Sequence, residues 1–470
     1  MKTAIPLETG LLHFTGIGGI GMSGIAEILH NLGYKVQGSD LSDNANVKRL
    51  RRLGIPVFIG QKAEQVLGAA FVVISSAVKA DNPEYAAARA ANIPIVRRAE
   101  MLAELARLRW SVAIAGTHGK TTTTTMVAAL FEAAQLDPTV VNGGIINAWG
   151  SNTRLGAGDW IVMEADESDG TFLRLHPTIG VVTNIDPEHL DHYGDYESLQ
   201  QAFLNFVQDL PFYGCAVLCL DHPAVRALVP RLSDRKVTTY GLEGDADITA
   251  ANIRVEDEST VFDIVLADRR IEGVRLAMVG AHNIGNALAA VGVGLHLQLD
   301  DATLRRGLEN FSGVGRRFTK AGVANGVTVI DDYGHHPTEI EAVLKAARQI
   351  CKGRIHAVIQ PHRFSRLSDL WERFAVCGRD ADSVILAPVY AAGETPLPGI
   401  TAERLADAMR TRGHRDVTVL PHLDTLPDAV AARAMPGDYV ICLGAGDITV
   451  HAHSLPERLQ AVMATQAVAG

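Results

Sequence analysis

Twice in this chain a strand-like apolar run ends in a glycine loop and passes directly into a helix-like stretch: LHFTGIGGIGMSG at 12–24 and SVAIAGTHGKTTTTTM at 111–126. That order confines the backbone to α/β topologies, because the loop turns the chain from the carboxyl end of a strand into a helix that crosses back over a parallel sheet. It also presents unpaired helix N–H groups to a phosphate-sized anion. With 470 residues the chain exceeds one ordinary hydrophobic core, and such a length implies about three domains of ~150 residues.

From 11 to about 107, short β-rich runs (LLHFTGIG, YKVQGSD, IPVFIG, AFVVISSA, IPIVRR) alternate with helical stretches, the pattern of a parallel sheet with crossover helices. A fresh start at SVAIAG leads into a helix from Lys120 to about Ala134 and strands at DWIVMEAD and TIGVVTNID. Between about 215 and 280 the strands crowd together with turn signals, as in VFDIVLADRRIEGVRLAMVG, which reads as antiparallel hairpins. Beyond the turn-rich FSGVGRRF, a third alternation runs through GVTVIDDYG, RIHAVIQPH, ADSVILAPVY, RDVTVLPH and DYVICLGAG. The expected architecture is α/β in three domains, 1–108, 109–317 and 318–470, the central one with a mixed sheet.

Composition removes several function classes. No apolar stretch approaches the ~20 residues of a membrane span, and MKTAIPLETG lacks the basic start and apolar block of an export signal. The expectation is a cytoplasmic protein with no membrane association. Five scattered cysteines without a C-x-x-C pattern point to reduced thiols and against a disulfide frame or a zinc site. A net charge of −10 argues against nucleic acid, so an anionic ligand must be held by local charge.

In the first loop Gly16, Gly18 and Gly21 spell G-x-G-x-x-G, with Asp40 at the end of YKVQGSD where a carboxylate can meet a ribose or simply shape a turn. Alone, this loop suggests a nicotinamide-dependent oxidoreductase. The second loop redirects the reading: Gly116, Thr117, His118, Gly119, Lys120, Thr121 and Thr122 supply backbone N–H groups for phosphates, a lysine for the β and γ oxygens and a hydroxyl for Mg²⁺. It is a shortened phosphate loop, with Ile114 where the usual form has a further glycine. Two acidic segments, MEADESDGTF and TNIDPEHLDHYGD, each end a strand downstream, and carboxylates near a triphosphate are what Mg²⁺ requires.

These stretches, together with GAHNIGNALAA, GVGRRF, DDYGHHPTEI and QPHRFSR, follow the order seen in the Mur ligases, and the chain resembles that family along essentially its whole length. The opening HFTGIGGIGMSGIAE is similar to the branch that joins L-alanine to UDP-N-acetylmuramate in peptidoglycan precursor synthesis. The resemblance implies a Rossmann-like first domain for the UDP-sugar, a central P-loop ATPase-type domain and a Rossmann-like third domain that admits the amino acid and closes over ATP. It implies ATP and Mg²⁺ as cofactors, an acyl phosphate intermediate, and a monomer or weak homodimer.

Carried over residue by residue, Lys120, Glu164 and His189 are the catalytic candidates, with Thr121, Glu164 and His189 as Mg²⁺ ligands. His282, Asn283, Asn286, Arg317, Asp332 and His335 complete the ATP site. Gly18, Gly19, Ile20, Gly21, Ser75, Ser76, His362, Arg363 and Arg366 fall to substrate binding. The carbamylated lysine of several Mur ligases has no counterpart, since no lysine lies between Lys120 and Lys236, and Thr319 follows GVGRRF where the family often has glutamate. A recycling ligase that joins a tripeptide to the same sugar nucleotide shares most motifs and is the nearest alternative. A non-catalytic ATP-binding protein is a more distant one.

Overall fold

The computed structural model describes residues 10–75, 77–107 and 109–469, except the side chains of Ile20 and residues 466–469. Ser76 and the expected boundary residue Leu108 lie outside these residues. The first sheet contains β1 (Leu11–Thr15), β2 (Lys35–Asp40), β3 (Val57–Ile59), β4 (Phe71–Ile74) and β5 (Ile95–Arg97), in the spatial order β3-β2-β1-β4-β5. Its neighbours all run parallel, and the order reverses between β1 and β4, the crevice where open α/β sheets place ligands. Helices α1 (Ile20–Asn31), α2 (Ala45–Arg52) and α3 (Pro83–Ala90) lie between successive strands, and α4 (Arg98–Ala106) follows β5. The start of α3 is written locally: Asn82 accepts the amides of Glu84 and Tyr85 while Pro83 takes the first helical position.

The second sheet comprises β6 (Trp110–Ala115), β7 (Thr139–Ile146), β8 (Ser151–Arg154), β9 (Trp160–Glu164), β10 (Ile179–Val182), β11 (Cys215–Cys219), β12 (Val237–Tyr240), β13 (Ile248–Glu256), β14 (Ser259–Leu266) and β15 (Arg270–Leu276). Their order is β15-β14-β13-β12-β11-β10-β6-β9-β7-β8. Parallel and antiparallel pairs coexist, β6 lying parallel to β9 and β10 and β7 antiparallel to β8. The antiparallel reading from residue 215 onward starts too early: β11 and β12 pair in parallel, because residues 220–236 form a crossover containing the short helix Pro223–Arg226 rather than a hairpin turn.

Helix α5 (Lys120–Ala133) follows β6 and buries all five threonines of the low-complexity patch. Mid-helix threonines compete with the backbone for hydrogen bonds. Here Thr125 Oγ1 donates back to Thr121 O at 2.8 Å, and Thr123 Oγ1 reaches Asn286 Oδ1 at 3.1 Å.

The third sheet, β16 (Thr319–Ala324), β17 (Val327–Asp332), β18 (Ile355–Ile359), β19 (Ser383–Leu386), β20 (Val417–Val419) and β21 (Tyr439–Leu443), has the order β16-β17-β21-β18-β19-β20. Only the edge strand β16 runs antiparallel to its neighbour.

The chain forms two compact units. One contains residues 1–253, 262–276 and 284–313; the other contains 254–261, 277–283 and 314–470. In the first, one apolar cluster runs from Phe14 and Ile25 through Ala113 and Met163 to Phe203 and Leu218, so the first two sheets share a core. Helix α1 meets β8 at Gly24, where a Cβ would lie 2.0 Å from Thr153 Cγ2; only glycine permits that approach. In the second unit, separate clusters built on Leu344 and Leu405 and on Leu455 and Leu459 are the mark of a sheet covered on both faces.

Candidate active site

Three loops converge because of strand order. The phosphate loop leaves β6, EADESD leaves β9 and NIDPEH leaves β10, and β6 lies between the other two with all three strands parallel. Register completes the alignment: Ile114 pairs with Glu164, and Ala115 with Val182.

Both glycines of the phosphate loop are sterically required. Gly116 has φ +126° and a Cβ there would fall 2.1 Å from Thr183 Oγ1; Gly119 has φ +85° and its Cβ would fall 2.6 Å from Asn286 Oδ1. The loop is laced to the segment after β10. His118 N donates to Asn184 Oδ1 at 2.7 Å, His118 O accepts from Thr183 Oγ1 at 2.6 Å, and Asp186 N donates to Thr117 Oγ1 at 2.9 Å. Asp186 also faces two imidazoles, His118 Nε2 at 3.1 Å and His222 Nε2 at 3.5 Å. Burial alone would raise its pKa, but the hydrogen bonds from His118 and His222 prevail and hold the carboxyl far below the usual range.

Lys120 opens α5 with 16% of its side chain exposed, and its Nζ lies 3.0 and 2.9 Å from the two carboxylate oxygens of Glu167, itself 2% exposed. Nζ also donates to the carbonyls of Gly116 and Thr117. Burial alone would depress the ammonium's pKa; the carboxylates of Glu167, Asp166 and Glu164 outweigh it and keep the lysine charged. Thr121 and Thr122 follow, 8% and 4% exposed. Glu164, at the end of β9, accepts from Gly143 N at 2.8 Å through Oε1. His189, with φ +58°, opens the short helix Leu190–Tyr193. No hydrogen bond joins Glu164 to His189 among the described residues. A hydroxyl, a carboxylate and an imidazole on the loops around a phosphate cradle suit Mg²⁺, which binds through a few protein groups and otherwise through phosphate oxygens and water.

The first glycine loop is shaped from within. Gly16 N and Ile17 N donate to Ser39 O at 2.8 and 2.9 Å, and Gly18 N donates to Asp40 Oδ2 at 2.8 Å. Asp40 accepts Ser42 N as well, at 3.0 Å, so its carboxylate serves the turn. A Cβ on Gly18 would lie 2.8 Å from Asp40 Oδ2, and Gly19 caps α1 without a side-chain hydrogen bond. The sequence offers this loop no cation, yet tertiary packing supplies one: Arg98 Nη1 lies 3.1 Å from the Cβ position of Gly21, and Arg98 Nη2 reaches Asp166 Oδ2 at 3.2 Å. Ser75 follows β4 across the sheet reversal and lines a cavity of about 760 Å³ with Tyr85, Arg89 and Arg97.

In the second unit, Asp332 ends β17 with both oxygens engaged by backbone, Phe318 N and Gly334 N each at 2.7 Å. It is 3% exposed, and burial pushes its pKa up to about 6 against the pull of Arg317. The Arg316 and Arg317 guanidinium groups lie 4.7 and 5.3 Å from the Tyr333 ring centroid. His335 stands 5.8 Å from His362, which stacks on Tyr390 at 5.4 Å and receives Arg366 Nη1 at 3.1 Å on Nδ1. Burial, then the charges of His335, Arg366 and Arg363, push the His362 pKa down to about 4. Arg363, at φ +69°, donates to Glu394, so part of the positive cluster expected at 362–366 is offset by an acid from a distant loop. His282 and Asn283 sit in the first turn of the helix Ala281–His296, where Asn283 Nδ2 donates to Val279 O at 2.8 Å.

Sequence reasoning thus missed Arg98, Glu167, Asn184 and Glu394. Glu167 stood inside a recognised acidic segment, but spacing does not say which of four carboxylates turns toward the lysine. Asn184 likewise stood inside the recognised TNIDPEHLDHYGD, where spacing does not show that its amide holds the loop, and nothing in the sequence signals Arg98 or Glu394.

Residues 11–110 match the Mur ligase family catalytic domain, 114–294 the Mur ligase middle domain and 316–446 the Mur ligase glutamate ligase domain. UDP-N-acetylmuramate--L-alanine ligase from Rhodospirillum rubrum is 59% identical over 465 residues, 98% of this chain and 97% of that protein. The enzyme of the same name from Parvibaculum lavamentivorans is 58% identical over 460 residues, 97% of this chain and 94% of that protein. Among solved structures, the UDP-N-acetylmuramate-alanine ligase MurC of Thermotoga maritima superposes with a TM-score of 0.82 at 29% identity, covering 96% of this chain and all of that one. A murein peptide ligase from Psychrobacter arcticus, 22% identical with a TM-score of 0.71 over 96% of this chain and 99% of its own, shares the fold. With its successive segments matching that family's domains and such identity along nearly its full length, the chain belongs to the Mur ligase family.

Proposed function

We propose that this chain is an ATP-dependent ligase that joins L-alanine to the lactoyl carboxylate of UDP-N-acetylmuramate. The observation that carries the reading is the convergence on β6 of a lysine-bearing phosphate loop with two acidic loops, in a chain 59% identical to an enzyme named for that reaction. A carboxylate accepts an amine poorly because its oxygen is a poor leaving group, and bringing it to a γ-phosphate sets anion against anion. Lys120 neutralises the β and γ oxygens, and the glycine-loop N–H groups hold them in line. The carboxylate oxygen bonds to γ-phosphorus as ADP leaves; the neutral alanine amine then bonds to the acyl carbon, phosphate leaves with the electron pair of the C–O bond, and the proton lost by the nitrogen ends on that phosphate. Thr121, Glu164 and His189 are the residues that would hold Mg²⁺, whose chemistry is to offset phosphate charge. Positioning and charge stabilisation supply most of the acceleration.

Residues 1–108 take the UDP-sugar on the first glycine loop, with Arg98 beside α1 and Ser75 across the sheet reversal. Residues 109–317 take ATP, with Asn286 beside the loop. Residues 318–470 bring His362, Arg363 and Arg366 to the substrate side, and Asp332 and His335, with Arg317 at the end of the central domain, to the nucleotide. Arginine suits a carboxylate because it grips with paired hydrogen bonds. A cytoplasmic monomer or weak dimer fits the reading, and among the described residues no helix is long and apolar enough to cross a membrane.

The test is mass spectrometry of products formed from UDP-N-acetylmuramate, ATP, Mg²⁺ and a panel of amino acids plus the tripeptide. An L-alanine adduct with stoichiometric phosphate is expected. An adduct formed only with the tripeptide would transfer the chain to the recycling ligases.

A further inference from the structure

Beneath the first glycine loop lies a buried carboxylate that the reaction does not use. Glu84, in the first turn of α3, has no exposed side-chain surface. Its Oε2 accepts the hydroxyls of Thr15 at 2.6 Å and Ser39 at 2.7 Å, and lies 3.2 Å from Nε2 of the equally buried His13. His13 in turn is 3.1 Å from Gln37 Nε2 through Nδ1. One oxygen therefore ties the ends of β1 and β2 to the start of α3.

We propose that Glu84 is a positioning residue for the sugar-nucleotide subsite, setting the glycine loop by clamping the two strand ends from which that loop hangs. Thr15 immediately precedes Gly16, and the carbonyl of Ser39 accepts the amides of both Gly16 and Ile17. Asp40, next after Ser39, takes the amide of Gly18. A shift of either strand end displaces the turn and, with it, the amides at Gly19 and Gly21 that open α1. The same carboxylate sits in the first turn of α3, whose start Asn82 caps. A buried carboxylate adds little to folding compared with apolar residues of equal volume, whereas its hydrogen bonds impose one geometry. Burial alone would lift the Glu84 pKa; the hydrogen bonds from His13, Thr15 and Ser39 more than offset this and keep it ionised.

The inference rests on the UDP-sugar assignment of the first domain, and the experiment separates the two. Full-length Glu84→Ala, Glu84→Gln and Thr15→Val are compared with the parent by steady-state kinetics in each substrate and by calorimetry with UDP-N-acetylmuramate. Glu84→Ala is expected to raise KM for the UDP-sugar roughly ten- to a hundred-fold, the scale of lost hydrogen bonds to a charged group. KM for ATP and kcat are expected to stay within about twofold, the signature of lost ground-state binding. Glu84→Gln keeps one oxygen to accept both hydroxyls and is expected to recover most of the loss. Should Glu84→Ala fail to fold, Thr15→Val deletes a single hydroxyl without changing shape and must shift the same KM in the same direction. A folded Glu84→Ala or Thr15→Val with parental UDP-sugar affinity overturns the proposal, as does an equal loss in the ATP and kcat terms. If the parent itself does not bind UDP-N-acetylmuramate, it is the functional reading that fails.

Discussion

Glu167→Gln tests whether the lysine of the phosphate loop is held by an internal carboxylate that a nucleotide must displace. The native pair is nearly sealed from water, with Nζ 3.0 and 2.9 Å from two oxygens of one carboxylate. Removing one member of a buried ion pair costs about 3–5 kcal/mol, and glutamine keeps one neutral acceptor worth ~1 kcal/mol. The carbonyls of Gly116 and Thr117 continue to accept from Nζ. A loss of about 2–4 kcal/mol is expected without nucleotide, and at ~2 °C per kcal/mol for a large unit, a fall in Tm of about 4–8 °C. The same change favours nucleotide, because phosphate no longer competes with Glu167 for Lys120. ATP affinity should rise on the order of tenfold, making the ATP-induced Tm shift larger in the variant than in the parent. Thermal melts with and without MgATP, with calorimetric titration, measure both quantities. A variant whose Tm and ATP affinity fall together would refute the exchange of one anion for another.

Lys120→Ala is expected to cut phosphate release by roughly 10²–10³-fold or more, with calorimetric binding of UDP-N-acetylmuramate unchanged. Gly119→Ala forces a Cβ into the left-handed region at φ +85° and to 2.6 Å from Asn286 Oδ1. The backbone term alone is ~1–2 kcal/mol, so ATP should bind at least roughly tenfold more weakly, and parental ATP affinity would contradict the steric reading. Arg98→Gln removes the cation beside α1 and should raise KM for the UDP-sugar roughly tenfold or more, with a steeper salt dependence lost at the same time. NMR titration of His362 should give a midpoint of about 4. Since that folded pKa lies below the unfolded value of ~6.5, the neutral ring's contribution to stability is complete above pH ~6.5 and is lost as pH falls toward 4; a midpoint near the unfolded value would overturn the burial argument.

The α/β class and the position of both glycine loops were legible because each is a local event. A β-rich run, a glycine needed for positive φ and a helix start occupy some fifteen consecutive residues. The crossover between β11 and β12 was misread as a hairpin because the closely spaced apolar runs carry no mark of strand direction, which hydrogen-bonding partners decide. Asp40 shows the limit for a single residue. Its place after a strand suited a ribose contact or a turn, and only the approach of Gly18 N shows the carboxylate closing the turn.

By itself the sequence determined the residue types that the proposed chemistry calls for and the loops on which they ride: Lys120 and Thr121 after one glycine turn, Glu164 and His189 after later strands. What only the tertiary structure decided is which of these meet and what opposes them. Strand order puts β9 and β10 on either side of β6, so residues far apart in sequence crowd one phosphate loop. The same packing gives Lys120 its partner Glu167, brings Arg98 to α1, sets Glu394 against Arg363, and buries Glu84 under Thr15 and Ser39. The physical reason is that strand periodicity and turn residues act within a few positions of chain, whereas the pairing of charges depends on distances set by sheet order and burial, which no short window of sequence contains.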